Sequence, residues 1–259
     1  MGKLIEKLNR VGSTAGTRLG FGMGSDAKRP GMLLVARIDS QDEATAKAAV
    51  SGGAEAILVS QPSVKKAKTG LAKSLGIADT VVAGGYAAGA GSGEVARWDF
   101  AVVAPGDAVG VLADAADLDR VLQLPLEVAD ETLRALEALP VDSVAIEIPA
   151  CALFLKDLVP IYRVVHATRK PVMAQVSIDA DRPTLLALRD AGILGLITTV
   201  TKGSAKGLKA LHQAILDLPP KKPRRGKGSA TPALGLSGHA VGADEHVHED
   251  DGDYEDDED

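Results

Sequence analysis

The sequence predicts an α/β fold, a closed (β/α)8 barrel, from three observations. Eight short apolar runs alternate with helical segments between residues 32 and 218, which is the unit count of such a barrel. The stretch 141–177 reads as strand, amphipathic helix and strand, a crossover that makes neighbouring strands parallel. The first strand leads into Ile38-Asp39-Ser40-Gln41, with no G-x-G-x-x-G turn. That absence counts against the alternative, an open doubly wound sheet.

Each predicted strand is a short β-branched or aliphatic run followed by a helical segment. Ser40 and Glu43 form a capping box that predicts the start of the first barrel helix. Pro183 fits the first turn of the helix after the seventh strand, and Ser204 is the predicted cap of the last helix. The predicted strands cover residues 32–38, 55–60, 79–85, 99–104, 119–124, 143–148, 171–177 and 195–200.

Two segments flank the barrel, which we place at residues 32–218. Residues 1–31 combine a short amphipathic helix with a Gly-rich segment, and we expect them to pack across one end of the barrel. Residues 219–259 run from a basic cluster to an acidic end and hold the whole net charge of −6. They contain too little apolar surface to offset the entropy of ordering, so we expect a disordered acidic tail.

Composition excludes several classes of function. Residues 1–218 are formally neutral and only 3% of the chain is aromatic, so no nucleic-acid partner is expected. No run is long and apolar enough for a membrane span. Cys151 is the only cysteine, which fits a reducing compartment, and we expect a cytoplasmic protein. Barrels commonly dimerise, so a homodimer is expected, and the acidic tail is expected to bind a basic partner.

Residues 32–218 resemble the aldolase-type TIM-barrel superfamily in repeat count and strand pattern. The resemblance implies an active site at the C-terminal ends of the strands. Because helices cover the outside of such a barrel, the side chains between the outward apolar positions of each strand point inward. Strand eight is ambiguous between Thr198 and Thr199, and we take Thr199. The inward polar positions near the C-terminal ends are Arg37, Ser60, Gln123, Glu147, Gln175 and Thr199.

Two of these residues are predicted to be catalytic. Arg37 would hold an anionic group of a small ligand, and Glu147 would act as general acid or base. Ser60, Gln123, Gln175 and Thr199 would line the ligand. A buried carboxylate needs a partner, and Arg37 is the expected partner of Glu147. The alternative is a buried polar network whose members only satisfy one another.

The segment Thr201-Lys202-Gly203-Ser204 follows the eighth strand and opens the last helix. In barrels of this kind such a loop often holds a phosphate on backbone amides, and Lys202 would add positive charge. A plain capped helix is the alternative. We predict no metal site, although Asp39, Glu147 and Asp179 follow three strands and could together bind magnesium.

The function predicted from these residues is a lyase or isomerase reaction on a small anionic metabolite. Phosphorylated metabolites belong to the predicted class. No lysine lies within a predicted strand, which argues against Schiff-base chemistry. Two alternatives stay open. One is a non-catalytic barrel scaffold that recruits partners through its tail. The other is an FMN-binding oxidoreductase, with Gln175 and Lys202 near the flavin ring and its phosphate at Gly203 and Ser204. The sequence identifies no cofactor.

Overall fold

A computed structural model describes residues 2–12, 30–62, 70–88, 95, 97–107, 110, 118–148 and 153–219. Some predicted features lie wholly or partly outside the described residues. They are the first part of the helix expected at 64–75, a helical piece at 93–98, the helix after Asp107, Cys151, and the tail from residue 220.

Eight parallel strands close into a barrel in chain order. The last strand pairs with the first, with Thr199 opposite Arg37. All the predicted strands are present, close to their predicted ends, which confirms the predicted fold class. The strands are β1 (Leu33–Ser40), β2 (Ala56–Gln61), β3 (Val82–Tyr86), β4 (Phe100–Val103), β5 (Asp119–Leu124), β6 (Ser143–Glu147), β7 (Val172–Gln175) and β8 (Gly195–Thr199).

Helices lie outside the barrel, except for the first, which lies against one end of it. Within the described residues, no helix combines the length and the apolar character that crossing a bilayer requires. The helices are α1 (Lys3–Gly12), α2 (Glu43–Ser51), α3 (Leu71–Ser74), α4 (Asp130–Ala135), α5 (Leu155–Thr168), α6 (Arg182–Ala191) and α7 (Ala205–Leu216).

The predicted capping box at the start of α2 is wrong. Ser40 is the last residue of β1, where it pairs with Gln61 of β2, and the N-cap of α2 is Asp42. The Asp42 carboxylate accepts a hydrogen bond from the Thr45 hydroxyl at 2.6 Å. Strand pairing therefore extends beyond the apolar run and takes up the residue that the sequence pattern assigned to the helix.

The start of α6 agrees with the sequence pattern. Pro183 lies in its first turn, where a missing N–H costs no helical hydrogen bond. The N-cap is Asp181, whose carboxylate accepts a hydrogen bond from the Thr184 backbone N–H at 3.0 Å. The hydrogen bonds from the Thr184 side chain and from its backbone N–H lower the pKa of Asp181. The backbone bond also satisfies one of the free donors at the helix N-terminus.

The strands separate two apolar layers, as the predicted alternation requires. Leu34 and Ile38 of β1 belong to the layer between the barrel and the helices. Leu33 and Val35 belong to the layer inside the barrel. The same alternation continues in the other strands, so the identity of each inward position follows from its parity along the strand.

Helix α1 closes the N-terminal end of the barrel. Leu4, Ile5 and Leu8 are buried and join the interior layer. Gly195, at the start of β8, makes room for them, because a Cβ there would lie 2.8 Å from the Met173 side chain and 3.1 Å from that of Leu8. The bottom of the barrel is therefore filled with side chains, and a ligand could enter its interior only from the C-terminal end.

Asp119 fixes the position of α1. Its side chain points inward from the start of β5 and is only 2% exposed. The carboxylate accepts backbone hydrogen bonds from Gly2 at 3.0 Å, Leu4 at 2.8 Å and Ile5 at 3.2 Å. A strand residue more than a hundred positions away thus supplies the N-terminal cap that the helix lacks locally.

Candidate functional site

The C-terminal end of the barrel interior is polar, in contrast to the aliphatic layers below it. Parity along the strands places six predicted site residues inside this end, each on a different strand. Glu147 is exposed, and the others are partly buried. The six are Arg37 (β1), Ser60 (β2), Gln123 (β5), Glu147 (β6), Gln175 (β7) and Thr199 (β8). Their position at the mouth is a structural fact, and their role in binding or catalysis stays a prediction.

The odd-numbered strands contribute one polar side chain each: Arg37, Tyr86, Gln123 and Gln175. Four side chains from alternate strands are the usual way in which a barrel of this kind fills one interior level. The Arg37 Nη1 donates a hydrogen bond to the Gln175 Oε1 at 3.3 Å. Glu147, from β6, accepts a hydrogen bond at its Oε1 from the Gln123 Nε2 at 2.6 Å. The level is thus linked in two parts, one basic and one acidic.

The expected ion pair between Arg37 and Glu147 is wrong. In the part of the chain that the structure describes, each of these residues contacts a glutamine amide, and the two do not pair with each other. The reason for expecting the pair was burial, but Glu147 is exposed at the last position of β6. A carboxylate that reaches solvent needs no counter-ion to stay charged.

Tyr86 belongs to the polar level but lies one residue beyond the predicted end of the third strand. The predicted third strand ended at Gly85, whereas β3 continues to Tyr86. Its parity is that of Val82, which is inside the barrel, and the period-two pattern Val82, Gly84, Tyr86 was the signal that could have found it. The side chain is partly buried beside Arg37.

Burial raises the pKa of the Tyr86 phenol above its ordinary value. The Arg37 guanidinium acts in the opposite direction, by its charge and by hydrogen bonding, and Glu147 adds a weaker upward effect. Because burial is the largest of these effects, Tyr86 stays protonated at neutral pH and can donate a hydrogen bond.

The polar level is not satisfied internally. Among the described residues, the Nε of Arg37 and the Oγ of Ser60 are buried atoms that have no hydrogen-bond partner. A network that only closed the barrel would be expected to pair such atoms, since an unpaired buried donor costs about 1–3 kcal/mol. The alternative, a buried polar network whose members only satisfy one another, is therefore only partly present at this end.

The two threonines of β8 take different directions. Thr199 has the parity of Ile197 and faces the interior. Thr198 has the parity of Leu196, faces the helices and is fully buried. The choice of Thr199 as the inward residue agrees with this arrangement.

Lys202, Gly203 and Ser204 lie on the rim, outside the polar level. The Lys202 Nζ is 3.6 Å from the Asp42 carboxylate, and its side chain is 83% exposed. Ser204 is the N-cap of α7 but makes no side-chain bond to the helix. Its hydroxyl instead bonds the Thr201 hydroxyl at 2.8 Å. These contacts fit the plain-cap alternative, and phosphate binding by this loop stays a prediction.

The three carboxylates considered for magnesium do not converge. Over the described ranges, no three side chains of His, Cys, Asp or Glu lie close enough together to hold a metal ion. Asp39, Glu147 and Asp179 therefore remain separate acidic groups around the mouth.

An open cleft adjoins Glu147 on one side of the mouth. Its volume is about 860 Å³, and it lies between the segment after β5 and the first turns of α5. Leu126, Val128 and Pro160 give it an apolar wall, and Glu127 adds a second carboxylate. The mouth thus has an open extension beside its acidic part.

Comparison with known proteins supports the fold alone. No family model matches the chain, and no curated protein matches it. Among solved structures, the chain is similar to the tryptophan synthase complex from Pyrococcus furiosus, with 12% identity and a TM-score of 0.55 over 73% of this chain and 99% of the other.

Two further structures have the same fold. KGPDC from Streptococcus mutans matches with 14% identity and a TM-score of 0.54, over 71% of this chain and 97% of the other. Phosphoribosyl anthranilate isomerase from Thermus thermophilus matches with 17% identity and a TM-score of 0.53, over 72% of this chain and 100% of the other. The chain therefore has a (β/α)8 TIM-barrel fold.

Proposed function

We propose that this aldolase-type barrel is an enzyme that acts on a small anionic metabolite at its C-terminal mouth, by a lyase or isomerase reaction. The observation that carries the proposal is the polar level itself. Arg37, Tyr86, Gln175 and the Gln123–Glu147 pair converge at the open end of an interior that is otherwise aliphatic. Convergent polar groups on an apolar scaffold are the usual form of a binding site.

Arg37 binds the anionic group in this proposal. Its guanidinium is held by Gln175 at 3.3 Å, and its Nε has no partner among the described residues. A guanidinium that is already oriented loses little freedom when an oxyanion binds, and it can make two parallel hydrogen bonds to a carboxylate or phosphate.

Glu147 moves the proton. Its carboxylate is exposed, so a substrate can reach it, and the 2.6 Å bond from Gln123 orients one oxygen. The other oxygen has no hydrogen-bond partner among the described residues, and it can accept a proton from a carbon or hydroxyl of the bound molecule and return it at another position. This is the proton transfer that an isomerase needs, and it also serves a lyase that forms a double bond.

The fold supports this location. Active sites of such barrels lie at the C-terminal face, on the loops and strand ends found there. One of the similar structures is named as an isomerase of a phosphoribosyl compound. Its identity of 17% supports the common fold and not a common substrate.

The first experiment is a thermal-shift screen of the full chain against phosphorylated metabolites, organic acids, divalent ions and FMN. A ligand that binds the native state raises Tm by mass action. The expected hits are small anions whose effect disappears in Arg37→Met and persists in Arg182→Met, a control at an exposed arginine of α6. Hits that survive Arg37→Met would contradict the proposed anion site. A shift given by FMN alone would favour the flavin alternative.

The catalytic part is tested on the compound that the screen identifies. Glu147→Gln keeps the size and the hydrogen bond to Gln123 but cannot take up a proton. We expect turnover to fall by about 100-fold or more, with ligand binding retained. An E147Q variant with wild-type turnover would remove Glu147 from the mechanism.

One observation favours the scaffold alternative. Phe154, Leu155 and Val159, at the start of α5, are 57%, 82% and 63% exposed. Exposed apolar side chains in one cluster are typical of interaction surfaces. Sedimentation of wild type and of a Leu155→Glu/Val159→Glu variant tests it. If wild type self-associates or binds a partner and the double variant does not, these side chains form a binding surface. A homodimer and a basic partner for the tail stay proposals of the same kind.

A further inference from the structure

Two opposite charges face the same mouth and are kept apart. Arg37, on β1, donates to the Gln175 carbonyl oxygen at 3.3 Å, and Glu147, on β6, accepts from the Gln123 amide at 2.6 Å. Gln175 presents its side-chain amide oxygen to the positively charged Arg37, and Gln123 presents its amide N–H to the negatively charged Glu147. The two charges are therefore each oriented by a neutral group, instead of being neutralised by each other.

Tyr86 lies within electrostatic range of both charges. Besides burial, the Arg37 guanidinium and the Glu147 carboxylate both affect the pKa of the Tyr86 phenol. Arg37 lowers this pKa and Glu147 raises it, so both charges are near the hydroxyl. Because the phenol stays protonated, its oxygen can accept from Arg37 while its O–H donates to a ligand. Tyr86 thus adds a second donor to the basic part of the mouth.

Both charged parts have capacity for a ligand. The Arg37 Nε is a buried donor without a partner among the described residues. On the acidic side, the Glu147 side chain accepts a hydrogen bond only at Oε1 within the described chain. One oxygen of a strong acceptor and one face of a strong donor are therefore free to bind groups of opposite character.

The space beyond Glu147 is a cleft whose lining includes two further carboxylates, Glu127 and Asp157. The adjoining cleft, about 860 Å³ in volume, carries the Glu127 carboxylate beside the apolar Leu126, Val128 and Pro160. Two basic side chains, Lys156 and Arg163, also line the cleft. Arg163 is paired with Asp130 at 2.5 Å, so its charge is compensated. A cationic group that extended past Glu147 would meet carboxylates and apolar surface in this cleft.

We infer that the ligand of this mouth is a dipolar molecule, which places an oxyanion on Arg37 and Tyr86 and a primary ammonium group on Glu147. An ω-amino acid or a phosphorylated amine belongs to this class. Such a ligand pairs with both Arg37 and Glu147, which do not pair with each other. Because the two side chains are already oriented, little side-chain entropy is lost when it binds. This inference rests on the proposed anion site and adds to it the second, cationic requirement.

The test uses matched probes that differ by one charge. β-Alanine, γ-aminobutyrate and ε-aminocaproate are compared with propionate, butyrate and caproate by calorimetry on the full chain. The series varies the distance between the charges, so the best length reports the span from Arg37 to Glu147. We expect the best amino acid to bind about tenfold or more tightly than its matched acid, the increment of one charge-assisted hydrogen bond.

Variants at Glu147, Tyr86 and Arg37, with a control at Glu131, assign that increment in affinity to particular side chains. Glu147→Gln should remove the advantage of the amino group and leave the plain acid unchanged, whereas Glu131→Gln, at an exposed position of α4, should preserve it. Tyr86→Phe should weaken the binding of the amino acid and of the plain acid by the same factor, because both ligands place a carboxylate on the Tyr86 hydroxyl. Arg37→Lys, which keeps a positive charge, should retain part of the affinity that Arg37→Met abolishes.

The outcomes separate this inference from the proposal beneath it. If plain acids bind in an Arg37-dependent way and the amino group adds nothing, the dipolar ligand is refuted and the anion site stands. If neither acids nor amino acids bind, or if both bind equally well to Arg37→Met, the anion site fails and the inference fails with it. An amino-group advantage that survives Glu147→Gln also overturns the inference.

Discussion

Replacing Asp119 should detach α1 from the bottom of the barrel. Asp119→Ala removes the acceptor of three backbone donors, those of Gly2, Leu4 and Ile5, which lie 2.8 to 3.2 Å from the carboxylate. At about 1 kcal/mol for each lost bond, the free energy of unfolding should fall by about 3 kcal/mol. For a domain of this size that loss corresponds to a Tm lower by about 6 to 12 °C.

Thermal denaturation of wild type, Asp119→Ala and Asp181→Ala tests this reasoning. Asp181 is a local N-cap that accepts one backbone bond at 3.0 Å, so its replacement should cost about 1 kcal/mol. If Asp119→Ala were no more destabilising than Asp181→Ala, the capping of α1 across the barrel would be refuted. Increased amide exchange in α1 alone would show that the helix detaches before the barrel unfolds.

The stability difference between wild type and Asp119→Asn should also depend on pH. Burial raises the pKa of Asp119 in the folded chain, against the opposing effect of its backbone bonds. The folded state therefore holds this proton more tightly than the unfolded state, and the wild-type contribution falls as pH rises from the ordinary carboxyl pKa through the raised one. The D119N variant cannot ionise at this position. The difference in free energy of unfolding between wild type and D119N should therefore shrink as pH rises from the ordinary to the raised carboxyl pKa.

Three substitutions test the packing, each by urea denaturation. Thr198 is fully buried and its hydroxyl has no partner among the described residues, so Thr198→Val should raise the free energy of unfolding by about 1 kcal/mol. Gly84→Ala puts a methyl group against the carbonyl and the ring of Phe100, and should cost about 1–3 kcal/mol. Leu8→Ala leaves a cavity beside Met173 and should cost about 2–5 kcal/mol.

Each packing prediction has an outcome that contradicts it. A destabilised Thr198→Val would show that the hydroxyl has a partner after all. A neutral Gly84→Ala would mean that β3 and β4 can separate without cost. Leu139→Ala, at a side chain that is 46% exposed, serves as the control for Leu8→Ala and should change stability by less than about 0.5 kcal/mol.

The strands could be predicted because each has a clear outward face. Val144 and Ile146 must be apolar, since they meet helices, and the residues between them are then inward by parity. The same reasoning located Arg37, Gln123 and Gln175 without any knowledge of contacts. It stopped one residue short at the end of β3, which was predicted to end at Gly85 and continues to Tyr86. Gly84 is required there by the close approach of Phe100, which no local pattern reveals.

Partners were harder to predict than positions. The sequence places Arg37 and Glu147 at one end of the barrel, and opposite charges suggest a pair. Which atoms meet depends on side-chain length and on the two glutamines between them, Gln175 and Gln123. The anchoring of α1 by Asp119 was missed for a related reason. A cap that comes from another strand leaves no mark near the helix in the sequence.

The two ends of the barrel differ in how fully their charges are satisfied. At the bottom, the buried carboxylate of Asp119 receives three backbone hydrogen bonds, and apolar side chains of α1 fill the space. At the top, Arg37 keeps a buried N–H without a partner in the described chain. Stability alone would favour the arrangement seen at the bottom. The unpaired Arg37 N–H at the top is the group that the proposed anionic ligand would engage.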